Sequence, residues 1–190
     1  MKFRPCTVAD CANELYAKGL CGSHYKRIRK YGTLEDQTPT FEQRFWSKVD
    51  KSGDCWTWTA RTSDAGYGTT SIDGAPRYAH RTAFEMANGP IPEGMFIDHM
   101  CHTRACVKPE HLRIVTNKQN LENMAGAKST SKSGVRGVYR RDYGKWQVQV
   151  THNRHVHNGG TFNELADAEA AAIALRNRLY THNDVDRIAA

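Results

Sequence analysis

The cysteines constrain this chain more than any other feature. Six of them occur in 190 residues. Cys6, Cys11, Cys21 and His24 stand as C-x4-C-x9-C-x2-H, whose paired ends suit two knuckles closing on one tetrahedral zinc. Further along, Cys101, Cys106 and His111 follow one another at equal intervals, and the one cysteine left over, Cys55, precedes the run "WTW". Cys55, Cys101, Cys106 and His111 would complete a second closed quartet of the same composition. In a reducing compartment such thiols are expected as metal ligands rather than disulfides.

Staples of this kind suit the rest of the composition. A hydrophobic content of 39% with mean hydropathy −0.70 is lean for one large core, so small modules with added cross-links are expected. The formal charge is +7 and the pI about 9.2, a balance that favours a polyanionic partner, nucleic acid ahead of a membrane surface. No run reaches the apolar length of a membrane span, and "MKFRPCTVADC" has no apolar signal core. A soluble cytoplasmic protein is the expectation.

The pattern divides the chain into an α+β series: a zinc-finger-like module over residues 1–40, a core over 41–124, a small, polar and basic linker over 125–133 and a tail over 134–190. After His24, "YKRIRKYG" predicts a short helix with Lys26, Arg27, Arg29 and Lys30 exposed. In the core, one of Trp56 and Trp58 is expected to be buried, Asp73-Gly74 reads as a hairpin turn, and a helix is predicted from about Tyr78 to Asn88, closed by Gly89-Pro90. The tail predicts three short strands with turns at 142–144 and 158–160. A helix follows, with Ala168, Ala171, Ala172, Leu175 and Leu179 on one stripe against the sheet.

The densest chemistry lies in "IDHMCHTRACVKPEHLRIVTNKQN". "MFIDH" predicts a strand delivering Asp98 and His99, "HLRIVT" a second strand, and Thr116 with Gln119 a capping box that opens a helix bearing Asn120. A carboxylate and an amide oxygen are hard ligands that suit magnesium, or manganese, and a neutral imidazole beside them can take a proton from water. Asp98 and Asn120 are therefore candidate ligands of a catalytic metal and His99 a candidate general base for phosphodiester hydrolysis. Two structural readings stand for the neighbouring thiols. Either the second zinc quartet clamps this motif, or Cys101 and Cys106 are small core residues and His111 is itself the magnesium ligand.

The ordered pieces "CWTW", "GYG", "YAHRTAFEMANGPIPEG" and "IDHMCHTRACVKPEHLRIVTNKQN" resemble the HNH endonucleases of phages and mobile introns, the ββα-metal group, across residues 41–124. The resemblance implies Asp98 and Asn120 on the metal, His99 as base, and His80 and Arg81 lining the site, Arg81 on the scissile phosphate; a helix-packing role is the other reading of that pair. The chain departs from the pattern at Lys108, where Asn is common, which removes a loop-ordering amide.

"GVRGV", "GKWQVQV", "GGTF" and the Ala-rich helix, residues 133–180, are similar to the Apetala-type (ethylene-response-factor) DNA-binding domain. That likeness implies a sheet in the major groove of double-stranded DNA, read by Arg136, Arg140, Arg141, Lys145, Trp146, Gln147 and Gln149, with Trp146 equally placed to be core. Together these likenesses imply a homing-type, site-specific endonuclease with a catalytic magnesium or manganese, as monomer or homodimer, to which the Cys/His spacing adds two structural zinc ions. The alternative is a DNA-binding regulator built on an inactive nuclease scaffold.

Overall fold

The computed structural model describes residues 4–35 and 38–188; residues 1–3, 36–37 and 189–190, which the expected first and last modules include, lie outside the described residues. The chain forms two compact units, Met1–Ser47 and Lys48–Ala190. The expected nuclease core and tail share the second unit, and the start of the expected core, residues 41–47, falls in the first.

In the first unit, β1 (Leu15–Ala17) and β2 (Leu20–Cys21) form a hairpin whose turn puts Lys18 and Gly19 at positive φ. Helix α1 (Gly22–Tyr31) starts at once and stops where Gly32 enters the left-handed region, its N–H returning to the Ile28 carbonyl. Lys26, Arg29 and Lys30 are exposed, while Arg27 is half-buried. Helix α2 (Phe41–Trp46) opens on a reciprocal capping box between Thr40 and Gln43.

The second unit begins with the antiparallel pair β3 (Val49–Asp50) and β4 (Thr57–Trp58). Trp58 is the buried member of the Trp pair and lies against Gly68, where a Cβ would meet its ring at 2.7 Å. The hairpin β5 (Thr69–Ile72) and β6 (Ala75–Tyr78) turns on Asp73 and Gly74, both at positive φ, the backbone that a tight two-residue turn requires. Helix α3 (Ala79–Asn88) buries Ala79, Thr82, Ala83 and Phe84. Strands β7 (Phe96–His99) and β8 (Leu112–Val115) pair antiparallel, the latter preceded by a short 3-10 turn at Pro109–His111. Phe84, Ile97 and Leu112 form the core between α3 and this hairpin. Helix α4 (Asn117–Glu122) opens on the Thr116–Gln119 capping box, as the sequence predicts.

Strands β9 (Val138–Arg140), β10 (Trp146–His152) and β11 (His155–Phe162) make an antiparallel sheet in the order β11-β10-β9, packed on α5 (Leu165–Leu179); α6 (Asp184–Ile188) ends the described chain. Val138, Val148, Val150, Ala168, Ala172 and Leu175 are its buried core, each large aliphatic side chain contributing about 1.5–3 kcal/mol. One expected turn is corrected. Residues 158–160 lie inside β11, and the chain reverses at Asn153-Arg154, both at positive φ. The glycines serve packing instead: a Cβ on Gly159 would sit 2.4 Å from the Val148 side chain and 3.2 Å from Leu175. The register slips beside Val148, which makes room for the extra residue. Among the described residues no helix is long and apolar enough to cross a membrane.

Candidate functional site

The two Cys3His quartets predicted from spacing are both assembled. In the first unit the ligand atoms of Cys6, Cys11, Cys21 and His24 lie within 4.8 Å of one another. His24 Nδ1 stands 3.3 Å from both the Cys6 and Cys21 sulfurs, and the Cys11 and Cys21 sulfurs are 3.9 Å apart. A tetrahedron with metal–sulfur bonds of about 2.3 Å has sulfur–sulfur edges of about 3.8 Å, so these spacings fit a zinc ion. The β1–β2 turn and the start of α1 deliver Cys21 and His24 together. The His24 backbone N–H on its sulfur holds the Cys21 thiol below its ordinary pKa, which favours the ligating thiolate.

The second quartet, Cys55, Cys101, Cys106 and His111, meets the same 4.8 Å limit, with His111 Nδ1 at 3.6 Å from the Cys55 and Cys106 sulfurs. Backbone bonds from Trp58 N to Ala105 O and from Val107 N to Trp56 O lay the "WTW" segment along the 101–107 loop, which carries Cys55 to its partners. Burial pushes the Cys106 thiol up to about 12 and raises that of Cys101. A cation among converging thiols reverses that preference by displacing their protons, so the donor set fits a soft metal. Asp54 stands 3.6 Å from His111 Nε2, the usual outer carboxylate of a ligating imidazole. Lys108 bonds the Asp54 carbonyl at 2.9 Å and its carboxylate at 3.2 Å, so the residue that departs from the HNH pattern ties the same loop by another route.

Beside this quartet, β7, β8 and α4 form a ββα unit over a cleft of about 670 Å³. Asp98, His99, Asn120, His80 and Arg81, the expected catalytic set, all line it, with Tyr67, His102, Arg104 and Asn123. His99 is buried, and its Nε2 lies 3.1 Å from the Cys106 carbonyl. A carbonyl can only accept, so Nε2 carries the proton and Nδ1 keeps the lone pair. The His99 pKa is lowered, chiefly by burial, which keeps the ring neutral. Cys106 therefore touches both chemistries, offering its sulfur to the quartet and its carbonyl to the candidate base. His80 packs edge-on to His99 with centroids 4.7 Å apart, and burial first, then the His99 and Arg81 charges, lowers its pKa to about 3.

Asp98 has partners that sequence reasoning missed. Arg113, directly across the hairpin, donates from Nε at 3.0 Å and Nη2 at 2.8 Å to Asp98 Oδ2, and Asn123 Nδ2 reaches the same oxygen at 2.8 Å. Arg113 also pairs with Asp184 of α6. The strand register could have revealed Arg113. Nothing local signals Asp184, 71 residues further on.

The expected reading residues are not brought together on one face. Gln147 and Gln149 alternate with Val148 and Val150, which are buried toward α5, and Trp146 packs partly against that core, leaving Arg140 stacked over its ring at 5.5 Å. Arg141 and Lys145 are exposed around the β9–β10 turn. Arg136 is withdrawn: its guanidinium bonds the carbonyls of Leu121, Glu122 and Met124 at the end of α4 and lies 5.2 Å from the Tyr180 ring centre.

The HNH endonuclease family profile matches residues 77–122, which include α3, β7, β8 and α4. Among curated proteins of Escherichia phage T7, the chain is 35% identical to Protein 7.7 over 71 residues, covering 37% of this chain and 55% of that one. It is 38% identical to Protein 2.8 over 91 residues, 47% of this chain and 60% of that one. The chain thus spans little more than half the length of these two relatives. With Protein 3.8 it shares 33% identity over 114 residues, 60% of this chain and 90% of that protein. No solved structure matches. Near-complete coverage of Protein 3.8 places the chain in that protein's phage family, with an HNH endonuclease domain at residues 77–122.

Proposed function

We propose that the protein is a site-specific, homing-type DNA endonuclease that hydrolyses phosphodiester bonds by a one-metal HNH mechanism. The observation that carries this reading is the placement of Asp98, His99 and Asn120 around one cleft, with the base held in a single tautomer. Asp98 Oδ2 takes the bonds from Arg113 and Asn123, and Oδ1, which has no bond among the described residues, is left for a cation shared with Asn120. Bound there, magnesium or manganese would polarise the scissile phosphate and stabilise the leaving 3′ oxygen. His99 Nδ1 takes the proton of the attacking water, Arg81 faces the phosphate, and the burial that keeps His80 uncharged spares the site a competing cation. The products carry 5′-phosphate and 3′-hydroxyl ends.

The three-stranded sheet and α5 serve as an Apetala-type reader of double-stranded DNA, with Gln147 and Gln149 on the face away from α5 and Arg141 and Lys145 at the β9–β10 turn as its contacts, and the zinc quartets hold the small modules rigid. Between residues 125 and 160 Lys128, Lys132, Arg136, Arg140, Arg141, Lys145 and Arg154 face Asp142 alone in charge. If about five of the seven met phosphates, affinity would fall on the order of 500-fold between 50 and 200 mM salt.

One observation favours the DNA-binding regulator: Asp98 is already ion-paired to Arg113, so a cation there must bind beside a guanidinium. A nicking assay on supercoiled plasmid carrying fragments of the source genome separates the two. Metal-dependent conversion by the native protein, absent in His99→Ala although DNA binding persists, supports the nuclease. Cleavage retained by His99→Ala removes the base assignment, and DNA binding without cleavage by either protein supports the regulator.

A further inference from the structure

We propose that Arg113 holds Asp98 as a metal ligand while Asp184 offsets the charge of that guanidinium, so that the segment following the last long helix braces the catalytic cleft from behind. The inference rests on the nuclease reading of Asp98 and deepens it. Asp98 and Arg113 are directly paired residues of adjacent strands, and Arg113 grips one carboxylate oxygen through two nitrogens, which holds that oxygen against the hairpin and leaves the other toward the cleft. Alone, that guanidinium would repel a cation arriving at the other oxygen. Asp184 offsets its charge, binding the same Nη2 that holds Asp98.

The segment carrying Asp184 is fastened to the ββα unit independently of this ion pair. Asn123 is only 3% exposed; it accepts from the Asp184 N–H at 3.0 Å and donates to Asp98 at 2.8 Å. Next to it, buried Glu122 accepts from the Thr181 N–H at 3.0 Å and its hydroxyl at 3.1 Å. On the other side, Asp186 is locked to Arg176 of α5 by bonds of 2.6 and 2.9 Å. The 181–187 segment thus links the sheet-packing helix to the back of the metal ligand, and Asp184 is held where its charge acts on Arg113.

The test is manganese affinity of the full-length, zinc-loaded protein without DNA, measured by calorimetry or the electron paramagnetic resonance of free manganese. Asp98→Ala defines binding outside the cleft. Asp184→Asn keeps the side-chain shape but leaves Arg113 uncompensated, and is expected to weaken cleft binding about 10-fold, the lower end of outer-shell effects. Adding Arg113→Met removes the stranded positive charge, so the double variant should bind more tightly than Asp184→Asn alone, a non-additivity that simple loosening of the fold cannot produce. Equal affinity in Asp184→Asn and the native protein, or no recovery in the double variant, overturns the charge compensation assigned to Asp184 while Asp98 remains a ligand. If the native protein and Asp98→Ala take up the same manganese, the metal-site reading falls and this inference with it.

Discussion

Arg136→Ala separates a DNA contact from a structural clasp. The sequence likeness places Arg136 among the residues that read DNA, whereas the structure sets its guanidinium on the carbonyls of Leu121, Glu122 and Met124 at 2.7, 2.9 and 3.1 Å. Those carbonyls end α4, where the helix leaves acceptors without intrahelical donors and carries partial negative charge. Hydrogen bonds from a charged donor contribute about 1.5–3 kcal/mol each when buried. Leu121 and Met124 have exposed side chains, so water can replace part of that. Contact with the Tyr180 ring adds about 0.5–1 kcal/mol. Burial lowers the Arg136 pKa, and the desolvation it signals is recovered on substitution. The balance is a loss of about 2–3 kcal/mol, or a fall in Tm on the order of 4–12 °C. Urea and thermal unfolding of Arg136→Ala against the native protein measure it. DNA binding by fluorescence anisotropy should keep its salt slope at a temperature where both are folded. An unfolding change below about 1 kcal/mol, together with a slope shallower by about 0.9, would instead make Arg136 a phosphate contact.

Metal analysis should find zinc at both quartets, and Cys106→Ser should lose the ion of the second alone; unchanged zinc content in that variant would remove Cys106 from the ligand set. Because the Cys106 carbonyl orients His99, stripping zinc should also cut nicking at least 10-fold, restored by zinc and not by extra magnesium. Acid stability should report His80, whose pKa falls from 6.5 to about 3 in the folded state. Between those values the unfolded chain binds a proton that the folded chain excludes. Stability is therefore intact above pH 6.5 and declines as pH drops through the window, by up to about 1.4 kcal/mol per unit. His80→Phe should show a shallower acid limb, and parallel limbs would count against this burial effect.

Much of the local architecture was legible because it follows from short-range chemistry. The spacing of the first quartet, the Thr116–Gln119 cap, the Asp73-Gly74 turn and the Asp98-His99 strand end each depend on residues close in sequence, whereas Cys55 joined the second quartet only as the cysteine left over. The Gly159-Gly160 pair misled because a glycine that admits a neighbour reads the same as one that makes a turn. The roles of Arg136 and Arg113 were hidden for a related reason: a guanidinium's partner is whatever acceptor the fold brings within reach.

The sequence by itself supplied the candidate metal ligands and the candidate base and determined the main helices, since periodicity and capping are local. Tertiary structure alone decided that Cys106 serves both the thiol cluster and His99, that Lys108 ties the loop through Asp54, and that the tail closes behind Asp98 through Asp184. Those contacts join side chains to backbone carbonyls or to residues as many as 71 positions away, and no local pattern encodes which distant acceptor a donor will meet.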